Sequence, residues 1–404
     1  MKRSMPLPAY VKNTIKMLNE AGYEAYVVGG AVRSWYLGMP VSDYDLTTSA
    51  TPEEAEEVFS SFRVLDTGKK HGTVTVLYKR NPVEITTYRT ESGYQDHRHP
   101  DTVSFTRSLE EDTARRDFTI NALCYHPREG LRDFCGGVQD LQKEVIRTVG
   151  VPKERFEEDA LRILRAVRFA SMLGFTVEKE TKKALLELAP TLSMVSQERI
   201  TAELNKTVSA PYFTKVLLEY RTVFEEVIPE LREYPDSLWP GLSMNISRSQ
   251  PDLHVRMALL LDFLNDSDRS DEILRRLKYS NDDRQKIINL LKNRSLPMNS
   301  RAEVRKVLNR LTVPFPMYLD FRCARDTRLN RQEITAIYEE IVRNNDCCTL
   351  KQLDVNGKDL QKLGLRGSAI SVAMHTLLNA VMEDRVENTH DALIRYLEDL
   401  RTSG

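Results

Sequence analysis

Residues Ala25–Thr48 read AYVVGGAVRSWYLGMPVSDYDLTT. The apolar run Ala25–Val28 has the length of a buried strand and stops at Gly29-Gly30, and Ala31–Leu37 then follows helical spacing. Glycines between a strand and a helix let backbone approach a phosphate, and the helix N-terminus offers it free N–H groups. Arg33, one turn in, adds a charge-assisted contact. Taken alone, such a turn is more often just an ordinary turn. Asp43 follows Arg33 by ten residues, in Ser42-Asp43-Tyr44-Asp45-Leu46. If Asp45 opens a strand over Asp45–Thr48, Asp43 and Asp45 share a side, because strand side chains alternate. Two like carboxylates repel unless a cation sits between them. Hard oxygen ligands with open positions suit Mg²⁺ bound together with phosphates. An isolated Asp-x-Asp is common on surfaces, so its context decides.

Working outward, Thr51-Pro52-Glu53-Glu54 is a strong helix start: Thr caps, Pro fits the first position, and the glutamates suit the positive end. Thr73–Tyr78 and Val83–Tyr88 are β-branched and aromatic runs that predict an antiparallel pair joined near Asn81-Pro82. Glu84 faces away from Val83 and Ile85, on a polar face, and offers a third carboxylate. Thr90–Asp101, polar and carrying Gly93 and Pro100, reads as a mobile loop. These segments predict an α+β domain with a small mixed sheet. After about residue 150 the strand signals nearly vanish. Helical spacing takes over in Ala160–Leu173, Lys182–Leu188, Glu198–Val208 and onward, divided by prolines such as Pro211, Pro251 and Pro314.

Bulk properties exclude several classes. The 404 residues suggest two to four domains, and 41% hydrophobic with 29% charged residues is ordinary for a soluble protein. No apolar run approaches the roughly 20 residues that span a bilayer. MKRSMPLPAY leads into no apolar segment, so no secretory signal is expected and a cytoplasmic location follows by default. The five cysteines, at 124, 135, 323, 347 and 348, lack metal-ligand spacing and read as reduced thiols. No Walker A pattern occurs. Net charge is −1, but 269–331 holds sixteen Lys/Arg against seven Asp/Glu. That stretch is a candidate surface for a polyanion, or a helical face balanced by acids elsewhere. Nothing in the sequence specifies an oligomeric state.

A further cluster is Arg115-Arg116-Asp117-Phe118-Thr119-Ile120-Asn121-Ala122. It mixes phosphate-pairing guanidinium groups with Asp and Asn. Read as a helix, it puts 116 and 120 on one face, and 117 and 121 on another. Gly-Gly-Ala-Val-Arg, Asp-Tyr-Asp, Glu84 and Arg-Arg-Asp-Phe-Thr-Ile-Asn-Ala, in this order, resemble the class II tRNA nucleotidyltransferase and bacterial poly(A) polymerase family of the polymerase-β-like superfamily. Asp133-Phe134-Cys135-Gly136-Gly137-Val138-Gln139-Asp140-Leu141 looks like that family's head-to-neck connector. Glu158-Asp159-Ala160-Leu161-Arg162 and Ser196-Gln197-Glu198-Arg199-Ile200 look like its neck motifs. The likeness is specific over residues 20–210 or so and weaker beyond, although Val355-Asn356-Gly357-Lys358-Asp359-Leu360 resembles its tail. One departure is Ser34, where the family usually has Asp.

The resemblance implies a polymerase-β-like α+β head over 1–145, a helical neck over 146–210 that selects the nucleotide, a helical body over 211–335, and a helical tail over 336–404 that binds tRNA. It implies catalytic Asp43, Asp45 and Glu84, with Mg²⁺ on Asp43 and Asp45. It implies nucleotide binding by Gly30, Arg33, Arg116, Asp159, Arg162, Arg165 and Arg168. Asp159 and Arg162, three apart on a predicted helix, share a face. Cytosine and adenine each present an amine donor beside a ring-nitrogen acceptor, so one Asp/Arg pair can read both and reject uracil and guanine. An ordinary i,i+3 ion pair is the bland alternative. The partners implied are CTP, ATP and the tRNA 3′ end. Addition of C, C and A is the reading preferred, with A-only addition and then poly(A) synthesis as alternatives. The full-length Thr90–Asp101 loop, with Asp96 and Arg98, disfavours CC-only addition, and the absence of a basic extension after Arg401 disfavours general RNA.

Overall fold

A computed structural model describes residues 4–92 and 102–402. The chain separates into two compact units, Met1–Glu233 and Tyr234–Gly404. In the first, the strands are β1 (Ala25–Val28), β2 (Asp45–Thr48), β3 (Arg63–Gly68), β4 (Thr73–Tyr78), β5 (Asn81–Thr87), β6 (Arg89–Ser92), β7 (Thr102–Phe105), β8 (Cys124–His126) and β9 (Gly130–Arg132). Among the described residues, seven of them form one sheet in the order β3-β4-β5-β2-β1-β8-β9. Only β2 and β5 run parallel within it; the other neighbours are antiparallel. This is the mixed sheet expected. β1 is buried along its whole length, and Leu46, Val74, Val76, Val83 and Ile85 supply one apolar layer.

The helices of this unit include α1 (Ala9–Glu20), α2 (Gly30–Tyr36), α3 (Pro52–Val58), α4 (Leu109–Ala114), α5 (Gly137–Gln142), α6 (Pro152–Glu158), α7 (Leu161–Leu173), α8 (Lys179–Leu188) and α9 (Gln197–Val208). The start of α3 is built as its sequence dictates. Thr51 Oγ1 accepts from Glu54 N at 3.3 Å and Glu54 Oε2 accepts from Thr51 N at 2.7 Å, a capping box. Thr51→Ala should lower stability by about 1 kcal/mol, read as a shifted urea midpoint; an unchanged midpoint would show the cap to be idle. α7 packs on α9, where Ser171 Oγ donates to Thr207 O at 2.8 Å, and Ile163, Leu164, Val167, Ile200 and Leu204 on the two helices are buried.

Four local expectations are corrected. The β4–β5 turn is Lys79-Arg80, with φ of 47° and 72°, not Asn81-Pro82. A two-residue turn with positive φ matches the strand twist, which here overrides the usual demand for Asn or Gly. Pro82 pairs with Leu77, before the first β2–β5 pair at Leu46 and Ile85, so its missing N–H breaks no bond to β2. Second, Thr90 lies in β6, which pairs with β7; residues 93–101, with Asp96 and Arg98, fall outside the described residues. Third, Arg115–Ala122 is not a helix. α4 ends at Ala114, and only Thr119–Asn121 forms a short 3₁₀ turn. Fourth, Asp159 is not on the helix of Arg162. It sits between α6 and α7 with φ −146° and ψ 103°, and its Oδ1 accepts from Leu161 N at 3.1 Å.

The second unit is helical from Trp239–Ser247 to His390–Thr402. Asn356 caps Gly357–Lys362 with a capping box closed by Asp359. Leu360, Leu377, Leu378, Val381 and Leu393 make the local core. No helix among the described residues is long and apolar enough to cross a membrane. Within the basic stretch 269–331 many cations meet acids. Arg284 pairs with Asp271, Arg325 with Asp262, Arg331 with Asp320, Lys286 with Asp282, and Arg305 with both Asp346 and Asp384. The compensating acids are therefore real, and the net field of this surface is weaker than its composition suggests.

Candidate active site

The site grows from the edge where β1, β2 and β5 end or begin. Val28 pairs with Asp45, and Leu46 with Ile85, which sets Asp45 beside Glu84 across the parallel ladder. Leu46 and Ile85 point into the core, so Asp45 and Glu84 emerge on the opposite face, both exposed. Asp43 lies just before β2, and its Oδ2 accepts from Ser42 Oγ at 2.9 Å. Although the residue reaches solvent, desolvation of its carboxyl, then Glu84 and Asp43, push the Asp45 pKa up, while Arg116 opposes them. Three acids that repel one another in this way offer hard oxygen donors to a divalent cation. Among the described residues no three acids, histidines or cysteines are already gathered tightly enough to hold a metal ion, so the carboxylates would have to turn inward to bind one.

Two arginines lie beside the glycine turn. Gly29 has φ 72° and precedes α2, a conformation that favours glycine. A Cβ on Gly29 would stand 3.9 Å from Arg116 Nη1, and one on Gly30 3.7 Å from Arg33 Nη2. Arg33 donates to Asn121 Oδ1. Burial, then the nearby Arg168, bring its pKa down to about 10. Asp117 Oδ2 accepts from Arg165 Nε at 2.8 Å and Nη2 at 2.5 Å, while its Oδ1 accepts from Asn121 Nδ2 at 3.2 Å. Burial disfavours the Asp117 carboxylate, but Arg165 together with the hydrogen bonds from Asn121 and the Phe118 amide outweighs it, and the pKa is lowered. The Phe169 ring is ringed by guanidiniums: Arg168 at 4.3 Å from its centroid, Arg33 at 5.0 Å and Arg165 at 5.6 Å. Clustered positive charge of this kind suits a polyphosphate.

Arg162 N donates to Asp159 O at 3.0 Å, while the two side chains are held by other residues. Asp159 Oδ2 accepts from Arg199 Nη2 at 2.8 Å. Arg162 Nη1 donates to Glu158 Oε2 at 2.5 Å and to Arg155 O at 3.1 Å. Sequence reasoning missed these holding partners, and also Asp112. Fully buried, Asp112 accepts from Arg115, from Arg116 Nη2 at 3.1 Å and from Thr47 Oγ1 at 3.1 Å. Burial disfavours charge on Asp112, but Arg115 and Arg116 lower its pKa. Its spacing of four from Arg116 was the one available signal.

Comparison with known proteins bears on the family and the fold. The family model described as "Poly A polymerase head domain" matches residues 25–147. "Probable RNA and SrmB- binding site of polymerase A" matches 174–234, and "tRNA nucleotidyltransferase domain 2" matches 253–397. The CCA-adding enzyme of Lactobacillus helveticus is 36% identical over 400 residues, 96% of each chain. That of Geobacillus thermodenitrificans is 45% identical over 242 residues, 58% of this chain and 59% of its own. The crystal structure of the Bacillus stearothermophilus CCA-adding enzyme in complex with CTP superposes with a TM-score of 0.80 at 30% identity, covering 98% of this chain and 99% of that one. A tRNA nucleotidyltransferase complexed with a primer tRNA and an incoming ATP analog gives a TM-score of 0.67 at 25% identity, over 82% of this chain and 99% of its own. Kinship sustained almost from end to end, on the same fold, means that the chain belongs to the family of CCA-adding enzymes, the class II tRNA nucleotidyltransferases.

Proposed function

We propose that this chain adds C, C and A in turn to the 3′ end of tRNA, using CTP and ATP, releasing pyrophosphate and reading no nucleic-acid template. The observation that carries this reading is the arginine-ringed Phe169 in one compact unit with the Asp45–Glu84 edge. The terminal 3′-hydroxyl attacks the α-phosphate. The new P–O bond forms as the bond to the β-phosphate oxygen breaks, and Arg33, Arg165 and Arg168 hold the departing charge, with Arg116 beside the glycine turn. Gly30 leaves room for the phosphates at the turn. Asp43, Asp45 and Glu84 are the residues that would hold the divalent cation, which we assign as Mg²⁺. When bound it would lower the hydroxyl's pKa and stabilise developing charge on the oxygens.

Base choice is assigned to Asp159 and Arg162, which keep their positions through Arg199 and Glu158. Arg162→Ala is expected to let UTP compete with CTP, lowering the discrimination by about tenfold. Unchanged rejection of UTP in that variant would remove Arg162 from base reading. The head, neck, body and tail limits given above serve as the division of labour. A cytoplasmic setting is supported by the five cysteines, none of which is disulfide-bonded. The test of the whole reading is a tRNA lacking its last three nucleotides. With CTP and ATP it should lengthen by CCA and stop; a long run of A would instead mark a poly(A) polymerase.

A further inference from the structure

Glu203 lies on α9, 6% exposed, and faces the arginine cluster. Its Oε2 is 3.0 Å from Arg168 Nε, and its Oε1 3.9 Å from Arg165 Nη1. The closer pair is near enough to attract yet misaligned, since neither Arg168 Nε nor Glu203 Oε2 makes a hydrogen bond. Arg165 already donates twice to Asp117. Arg33 donates to the neutral Asn121. Around Phe169, then, Arg33, Arg165 and Arg168 face Asp117 and Glu203, while Asp159, whose charge also acts on Arg165, is held by Arg199. Glu203 is the acid that stands against Arg168. A buried ion pair without aligned hydrogen bonds is below its best energy, and a phosphate oxygen presented to Arg168 would offer the better acceptor. Burial also lowers the pKa of Arg168, as expected of a guanidinium short of compensation.

We propose that Glu203 is a positioning residue that holds Arg168 against Phe169 and competes with the nucleotide's phosphates for it, so limiting how tightly triphosphate and departing pyrophosphate are bound. This rests on the nucleotide-binding role given above to Arg168. Because the phosphates are common to both substrates, the effect falls equally on CTP and ATP. Base choice, which belongs to Asp159 and Arg162, is untouched.

The experiment compares Glu203→Gln with the wild type on three readouts: KM for CTP and for ATP, inhibition by inorganic tripolyphosphate, and the rise in Tm that tripolyphosphate produces. Glu203→Gln keeps the shape and removes the charge, leaving Arg168 uncompensated. Both KM values and the inhibition constant should fall together by about fivefold, with the preference for CTP over UTP unchanged. The unliganded variant should melt lower than wild type, and tripolyphosphate should raise its Tm by more than it raises the wild type's. A glutamate that merely supports the helix packing would give unchanged or higher KM values and equal Tm rises, and either result overturns the proposal. If Glu203→Gln does not fold, Glu203→Asp decides, because its carboxylate is withdrawn from Arg168. A larger tripolyphosphate-induced rise than in wild type supports the competition, and an equal one overturns it. Wild-type protein that extends no tRNA would defeat the assigned function instead; wild-type extension with unaltered constants in the variant defeats only the role of Glu203.

Discussion

Replacing Asp43 or Asp45 by alanine is expected to abolish nucleotide incorporation while the protein stays folded. Both side chains reach solvent, so neither substitution opens a cavity. Backbone pairing of Asp45 with Val28 does not depend on its side chain. What is lost is the negative charge that the chemistry needs, and the expected fall in incorporation of labelled CTP is at least about 10³-fold. Stability should move the other way at Asp45. Its folded-state pKa is raised, by burial first and by Glu84 next. A carboxyl whose pKa is higher when folded costs stability once ionised, above that folded pKa, so Asp45→Ala should melt slightly higher at neutral pH. Such opposition between activity and stability marks a site kept strained for function. Wild-type-like incorporation in either variant would sink the assignment of these carboxylates.

The second large effect is expected at Asp112, which touches no substrate in this account. It is fully buried, and Arg115, Arg116, Thr47 and the Arg89 amide all donate to it. Asp112→Ala strands Arg116 beside the glycine turn without its acid. Breaking a buried pair on one side costs about 3–5 kcal/mol, to be read from urea unfolding, and incorporation should fall because Arg116 loses its orientation. The pH dependence has a definite sign. The folded pKa of Asp112 lies below its ordinary 3.8, so its contribution is complete above that value and is lost as pH falls through the folded pKa. The stability gap between wild type and Asp112→Ala should therefore shrink in acid. A gap under about 0.5 kcal/mol at neutral pH would mean the network is incidental.

Much of the site was legible because it is local. The Gly29-Gly30 turn, the strand opening at Asp45 and the Thr51 capping box each follow from a few consecutive residues, and each stands where the pattern put it. What stayed hidden depends on partners far along the chain. Asn121 holds Arg33 from 88 residues away, and Arg199 holds Asp159 from 40. Asp112 sits in a Glu-Glu-Asp run that resembles a solvated helix start, and nothing local announces that it is buried. The Arg115–Ala122 segment misled for a related reason. Asp117 bonds across to Arg165, and Phe118 bridges antiparallel to Thr148, and these tertiary bonds override helical propensity. Asp159 was misplaced because the chain breaks between α6 and α7 without a glycine or proline to mark it. The surplus of cations over 269–331 was correctly counted, but composition could not reveal acids such as Asp346 and Asp384 that lie outside the stretch.

The central claim is that one site adds C twice and then A once. Its most direct test offers the protein three tRNA primers, ending at the discriminator base, at C, or at CC, each with labelled CTP alone or ATP alone. CTP should extend the first two primers and not the third, and ATP should extend the CC primer by one nucleotide. Extension of the CC primer by ATP, with no incorporation of CTP on either shorter primer, would contradict that claim and leave an A-adding enzyme.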